Sequence, residues 1–399
     1  MGTGVSSLPL HDRIAAFLQD YLVPLGWLVI LTSMFIAGDR GRVHQLFYVF
    51  LALPTAALIC LRPTLLRDLT ANPLFRWFVI FSVYTMITIA WSTTEDTALS
   101  LMRRPLYIAL LFFAAGVVGM TSTEKLDRLT TFAAVVAAIA AAVSLAYFMK
   151  IRIPHSGMRL EGYGALYNPL LTAHVFGAFA TFWLATWLQG KSLVNPVAVI
   201  CLCVLLATLL ATGSRTPLVG LAAALVWLLA TSEKRRGTCI AVCLGVASLG
   251  LLLFHPEAFT QRGLSFRPKI WIDALHQIAQ HPYFGHGYDA DMVINIPGLG
   301  MVLADPHNME LGVLYSGGAV GLILWLVLYG VTFRYCWANR SCAATRVAAA
   351  WLTFGIGSGL TEGMAFMSRP KEHWYLIWLP FALIYGQWIA RTIKARTAQ

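Results

Sequence analysis

The sequence predicts an all-α, polytopic membrane protein: a single integral membrane domain over residues 1–399, with about 12 transmembrane helices and one long outer loop. Three observations lead there. Hydrophobic residues make up 58% of the chain and charged residues 12%, and the mean hydropathy is +0.69, so the polar surface is too small to solvate a globule of this size. Apolar runs of spanning length, about 17–25 residues, recur from end to end. The connections between them are short, with one exception.

In chain order the runs fall near 23–38, 45–62, 76–92, 105–121, 130–149, 169–188, 194–212, 216–231, 238–254, 309–331, 347–367 and 374–391. Residues 1–22 lack the charged, apolar and small-residue order of a signal peptide, so none is expected. An even number of spans puts both termini on one side. Placing them in the cytoplasm brings Lys191, the turn Glu233-Lys234-Arg235-Arg236, the cations Arg334, Arg340 and Arg346, and the tail cations Arg391, Lys394 and Arg396 inside, as the positive-inside rule prefers. The bias is weak: of 29 Lys and Arg, little more than half fall inside on this assignment. The outer cations exceed what topology needs, so some of them are expected to meet lipid phosphates or a diphosphate substrate, and others to anchor helix ends at headgroups. Membrane lipids are therefore expected partners, and nucleic acid is not. Cys60, Cys201, Cys203, Cys239 and Cys243 fall in apolar spans and Cys336 and Cys342 in an inner loop, which sets disulfides and cysteine metal sites aside.

The exceptional connection is the outer loop 255–308, far longer than a structureless connection usually is. Within it Ile270, Trp271, Ala274, Leu275 and Ile278 recur at helical spacing. Pro268 suits a first helical turn and His281-Pro282 a stop. The reading is an amphipathic helix along the membrane interface, roofing a cavity between the spans, with Lys269 on its polar side. Gly285-His286-Gly287 supplies a turn before the chain re-enters the membrane through Asp305-Pro306-His307-Asn308.

His307 is the first candidate for chemistry, because an imidazole titrates near neutrality and stands here where a polar loop meets an apolar helix. Asn308 would orient that imidazole or a sugar hydroxyl, or cap the following helix. Arg215, in the turn Thr212-Gly213-Ser214-Arg215-Thr216-Pro217, is the second. With Ser214 as N-cap it would lie in a first helical turn, where the dipole disfavours a cation unless an anion compensates. A helix N-terminus beside a guanidinium is a competent phosphate site. Arg267, opening the loop helix, is its natural partner, and two arginines balance a diphosphate without a metal. Asp289-x-Asp291 is a pattern that can hold Mg or Mn, weighed against simple solvation or pairing with arginine. Arg159, Arg369 and Lys371 would widen a cationic mouth or anchor helix ends. His174, about 7 Å into its span, is either a site residue or a packing histidine. Glu362, placed in the eleventh span, is expected to pair with a cation such as Arg369, and Arg103 and Arg104 with Glu95 and Asp96.

Taken in order, the Ser214-Arg215 turn, Arg267-x3-Trp271, Pro282-x2-Gly285-x-Gly287, and His307-Asn308 followed by Gly317, Gly318 and Gly321 resemble the O-antigen ligase and polymerase superfamily. The likeness is detailed over roughly residues 195–335, and the single large outer loop looks most like the ligases. What the resemblance implies is a membrane-embedded (GT-C-like) glycosyltransferase of the bacterial inner membrane, with its active site facing the periplasm. It would transfer O-antigen polysaccharide from undecaprenyl diphosphate to a sugar hydroxyl of lipid A-core, inverting the anomeric centre without metal or other cofactor. His307 matches the family's catalytic histidine, and Arg215 and Arg267 its diphosphate-binding arginines. The same motifs are compatible with an O-antigen polymerase, which uses the same donor. A protein-glycosylating ligase fits less well, for want of a C-terminal soluble region. A transporter or flippase fits worst, because the charges crowd the outer boundary rather than midplane.

Overall fold

The computed structural model describes residues 9–150, 158–190, 195–231, 266–295 and 302–397. The expected span 238–254, with Cys239 and Cys243, lies outside the described residues, as do Lys191, the turn 233–236 and the first part of the long loop. What is described is mostly helix. In chain order the helices are α1 (Leu10–Ile36), α2 (Arg40–Leu61), α3 (Leu65–Thr70), α4 (Pro73–Trp91), α5 (Ala98–Thr121), α6 (Thr123–Lys150), α7 (Pro169–Gln189), α8 (Pro196–Thr212), α9 (Thr216–Thr231), α10 (Arg267–Ile278), α11 (Met309–Ala338), α12 (Ala343–Gly359) and α13 (Trp374–Thr397). Among the described residues, eight of these are long and apolar enough to cross a membrane, and α8 and α9 are shorter apolar helices. Leu210 on α8 and Val226 on α9 are 74% and 68% exposed. Large aliphatic side chains standing out from otherwise apolar helices are what a bilayer covers.

Packing buries α7, α12 and α13 most deeply. Trp27, Trp325, Trp351, Trp374 and Trp378 are among the largest fully buried side chains, and Trp351 donates to the Tyr375 carbonyl at 2.6 Å. Helix α12 meets the start of α13 so closely that a Cβ on Gly355 would stand 1.6 Å from the Leu376 carbonyl oxygen. Only a residue without a side chain permits that approach.

Charged groups sort to the two ends of the bundle. At one end Arg396 pairs with Asp68 at 2.6 Å and Arg391 donates to Thr345. At the other stand Arg40 with Glu372, Arg104 with Asp96 and Asp289, and Arg267 with Glu362. Among the described residues these two groups of charges occupy opposite ends, here called the far end and the site end.

Several boundaries differ from the sequence expectation. Helix α12 stops at Gly359 rather than running to 367, and four residues on the chain turns away through Gly363 at a left-handed φ of 88°. Cys336 belongs to α11 and not to a loop. Helix α9 begins at Thr216, and the Ser214 hydroxyl, buried with no partner among the described residues, makes no cap there. Arg215 therefore precedes the first turn instead of lying in it.

The largest difference is in α11, expected as one span over 309–331. Gly318, at φ 61° and ψ −163°, breaks it, a combination open essentially to glycine alone. The carbonyl oxygen of Val313 lies 3.6 Å from where a Cβ on Gly321 would be. Eight residues of straight helix would rise about 12 Å, so the chain turns sharply there. The result is a short arm, Met309 to Gly317, joined to a long one beginning at Ala319. The arm's last carbonyls are satisfied by the loop before it: His286 N–H donates to Tyr315 and Gly287 N–H to Ser316, at 2.8 and 3.0 Å.

The expected loop helix is α10, with Pro268 in its first turn. Ile270, Ala274 and Ile278 are buried against Tyr315, Ile294 and Met292, while Trp271 is half-buried among them. Leu275, expected on the same face, is 48% exposed, since it sits one position round from Ala274. A two-stranded ribbon, β1 (Ile294–Asn295) and β2 (Val302–Leu303), pairs antiparallel and delivers the chain to His307.

Candidate active site

His307 is held in a conformation that a residue with a side chain seldom adopts. Its φ is 51°, at a cost of about 1–3 kcal/mol that the surroundings must meet. Four hydrogen bonds do so. The His307 amide donates to Asp305 Oδ1 at 2.7 Å, and Trp271 Nε1 on α10 donates to the Pro306 carbonyl at 3.0 Å. Asn308 caps α11 through Leu311 N–H and donates to the Leu360 carbonyl, each at 2.9 Å. Of the alternatives read for Asn308, the capping one is what the side chain does here.

The imidazole faces a buried carboxylate. His307 Nδ1 and Glu362 Oε1 are 3.0 Å apart, and Glu362 is 8% exposed. A carboxylate can only accept, so Nδ1 carries the hydrogen and the lone pair of the neutral ring sits on Nε2. The hydrogen bond from Glu362 raises the His307 pKa above the usual imidazole value, against the opposing effect of burial. Burial would push the Glu362 carboxyl up, but the His307 hydrogen bond and the charges of His307, His174 and Arg267 hold it below its ordinary range. Beneath the His307 amide, burial raises the Asp305 carboxyl.

On the other oxygen of Glu362 stands Arg267. Its Nη2 is 3.6 Å from Oε2 and 3.4 Å from the Thr216 hydroxyl at the start of α9. Both distances are long, so the guanidinium keeps donor capacity to spare. Its Nε is buried with no partner among the described residues, the state expected of a donor awaiting an acceptor. Arg215 directly precedes Thr216 and is half-buried. Arg159 Nε donates to the Thr212 carbonyl at 2.7 Å, which ties its segment to the same α8–α9 turn. Arg267 thus stands beside the Glu362 carboxylate and touches Thr216, while Arg215 and Arg159 stand at the α8–α9 turn that leads into Thr216.

Other residues picked from the sequence fall elsewhere. Lys269 is exposed on the outer side of α10. Glu362 does not pair with Arg369, because the early end of α12 takes the carboxylate to His307 and Arg267, while the exposed Arg369 lies by His44 and Tyr48 on α2. Lys371 lies within electrostatic reach of Asp305 and Glu372, and burial lowers its ammonium pKa. His174 is fully buried on α7, with both ring nitrogens unpartnered among the described residues, and lies within electrostatic reach of Glu362. Asp289 is bound by Arg104 at 2.7 Å, whose second nitrogen reaches Asp96, so of the two expected arginine pairings that of Arg104 is present. Reading the sequence missed Glu362, Trp271 and Thr216 as parts of the His307 environment. The one local signal was Gly363, which could have ended the eleventh span early.

A family model described as O-antigen ligase matches residues 198–326, a window that holds Arg215, Arg267 and His307. An O-antigen ligase of Pseudomonas aeruginosa is 50% identical to this chain over 386 residues, which is 96% of the chain and 95% of the relative. With half of all positions shared along nearly the whole length of both proteins, the chain belongs to the O-antigen ligase family.

Proposed function

We propose that the protein transfers O-antigen polysaccharide from undecaprenyl diphosphate to a sugar hydroxyl of lipid A-core, at the periplasmic face of the inner membrane with both termini cytoplasmic. The observation that carries this reading is the His307–Glu362–Arg267 arrangement, in which one buried carboxylate addresses both a base and a phosphate-binding cation. His307 Nε2 takes the proton of the acceptor hydroxyl as its oxygen attacks the anomeric carbon. The imidazolium so formed is stabilised by Glu362. The bond from the anomeric carbon to the diphosphate oxygen breaks with its electron pair, and Arg267, Arg215 and Arg159 meet the charge that develops on the leaving group. A diphosphate leaves readily, so neither a strong acid nor a metal is needed, and attack in line inverts the anomeric centre.

The test is transfer by the purified protein from undecaprenyl-diphosphate-linked glycan to lipid A-core, with and without chelator. Wild type should transfer equally in both, and His307→Ala should lose about 100-fold or more. Elongation of the lipid-linked glycan in place of transfer to the core would overturn the ligase reading, and loss of activity with chelator would overturn the metal-free mechanism.

A further inference from the structure

A second cationic cluster lies at the site end, apart from Arg267 and the arginines at the α8–α9 turn. Tyr48 on α2 and Tyr107 on α5 have their rings 5.3 Å apart, which sets the two helices at a common level. One helical turn nearer the site end stand His44 on α2 and Arg103 on α5, and another turn on is Arg40. Phe47 packs edge-on against Trp374 at 5.4 Å, bringing the segment before α13 over the same place. There Arg369 lies within electrostatic reach of His44 and, like Arg103, of Tyr48.

Charge accounting shows what is left over. Glu372 is bound by Arg40, Asp39 by Arg42, and Asp96 and Asp289 by Arg104. Among the described residues neither Arg103 nor Arg369 has an ion-pair partner, and both are exposed. Two unneutralised guanidinium groups beside two tyrosines, at the end of apolar helices, form a site for phosphate carried on a lipid. Its place relative to His307 matters too. Arg267 touches the Glu362 oxygen that His307 does not, whereas Lys371, two residues from Arg369, lies within electrostatic reach of Asp305, which accepts from the His307 amide. In-line displacement needs donor diphosphate and incoming hydroxyl on opposite sides of the reacting carbon.

We infer that the Arg103–Arg369 cluster binds lipid-borne phosphate groups of the acceptor, while the arginines at the α8–α9 turn serve the donor. This assignment rests on the function proposed above, and binding is measured so that the two stand or fall separately. The double variant Arg103→Gln, Arg369→Gln removes charge from exposed positions and should fold as wild type does. In zwitterionic nanodiscs, binding of intact lipid A-core is compared with binding of the same glycolipid stripped of its phosphates and of phosphatidylglycerol. Transfer kinetics are run beside it. The double variant should bind intact acceptor about tenfold more weakly, with KM for acceptor raised to match and kcat and KM for donor unchanged. Stripped acceptor should bind wild type and variant equally. If intact acceptor binds both proteins alike, the inference fails. It also fails if the variant loses phosphatidylglycerol alone, which would assign the cluster to bulk lipid. If acceptor binding depends on the cluster but no transfer occurs, the site stands and the proposed reaction falls.

Discussion

Glu362→Gln separates a working pair from a packed one. In the ground state the carboxylate accepts a hydrogen bond from a neutral imidazole at 3.0 Å. In the transition state the ring gains a proton, and the same bond becomes charge-assisted on both sides. That strengthening is worth about 2 kcal/mol when the pair is partly shielded, and here the two side chains are 33% and 11% exposed. The glutamine amide keeps the shape and loses the gain, so kcat should fall about 30-fold with KM for either lipid little changed, since the bond strengthens only as the proton moves. The pH profile gives a second reading. Glu362 raises the His307 pKa, so the acid limb of the wild-type profile lies above the ordinary imidazole value, and in the variant it should move to lower pH. The assay is transfer of lipid-linked glycan to lipid A-core, initial rates taken from pH 5 to pH 9. A variant with kcat within threefold of wild type and an unmoved acid limb would refute the reasoning.

The same pair shapes stability. The raised His307 pKa adds stability that is full below the ordinary imidazole value and is lost as pH rises through the raised one. The lowered Glu362 pKa adds stability that is present above the ordinary carboxyl value and is lost as pH falls through the lowered one. Thermal melts should therefore show Glu362→Gln destabilised more near pH 6 than at pH 9, and an equal loss at both would contradict the ion pair. Arg267→Lys keeps the charge but not the fork, and should raise KM for the diphosphate donor about tenfold, measured in the same transfer assay. Gly318→Ala would place a Cβ 2.3 Å from the Tyr283 backbone at a positive φ, so a melting temperature lower by many degrees, together with loss of transfer, is expected. Trp271→Phe removes only the donor to the Pro306 carbonyl and should cost about 1 kcal/mol of stability, read by the same melts, with a larger fall in kcat than in acceptor or donor affinity.

The helical pattern was legible because apolar runs and caps are local. Pro268 at the start of α10 and the Ile270, Ala274, Ile278 face lie where the spacing puts them. Arg267 and His307 could be found one by one as cations and imidazoles at helix margins. Their meeting on one carboxylate could not, because Glu362 comes from a different helix end, and its position depends on α12 stopping at Gly359. The period of the sequence continues past that point, whereas the chain turns away through Gly363. The break at Gly318 was hidden for a related reason. Hydropathy is blind to direction, so two arms meeting at a sharp turn read as one long span.

That turn makes the short arm of α11 a ruler. From Asn308 to Gly318 it holds about nine helical residues, or roughly 13 Å at the helical rise, with one end clamped by the His286 and Gly287 amides and the other carrying His307. On the proposed mechanism, the distance of the base from the clamping loop is thus counted out in peptide units. Adding or removing one residue within the arm would shift the imidazole by about 1.5 Å and swing it by about 100°. Drift in sequence along the arm should leave catalysis intact while drift in its length should abolish it.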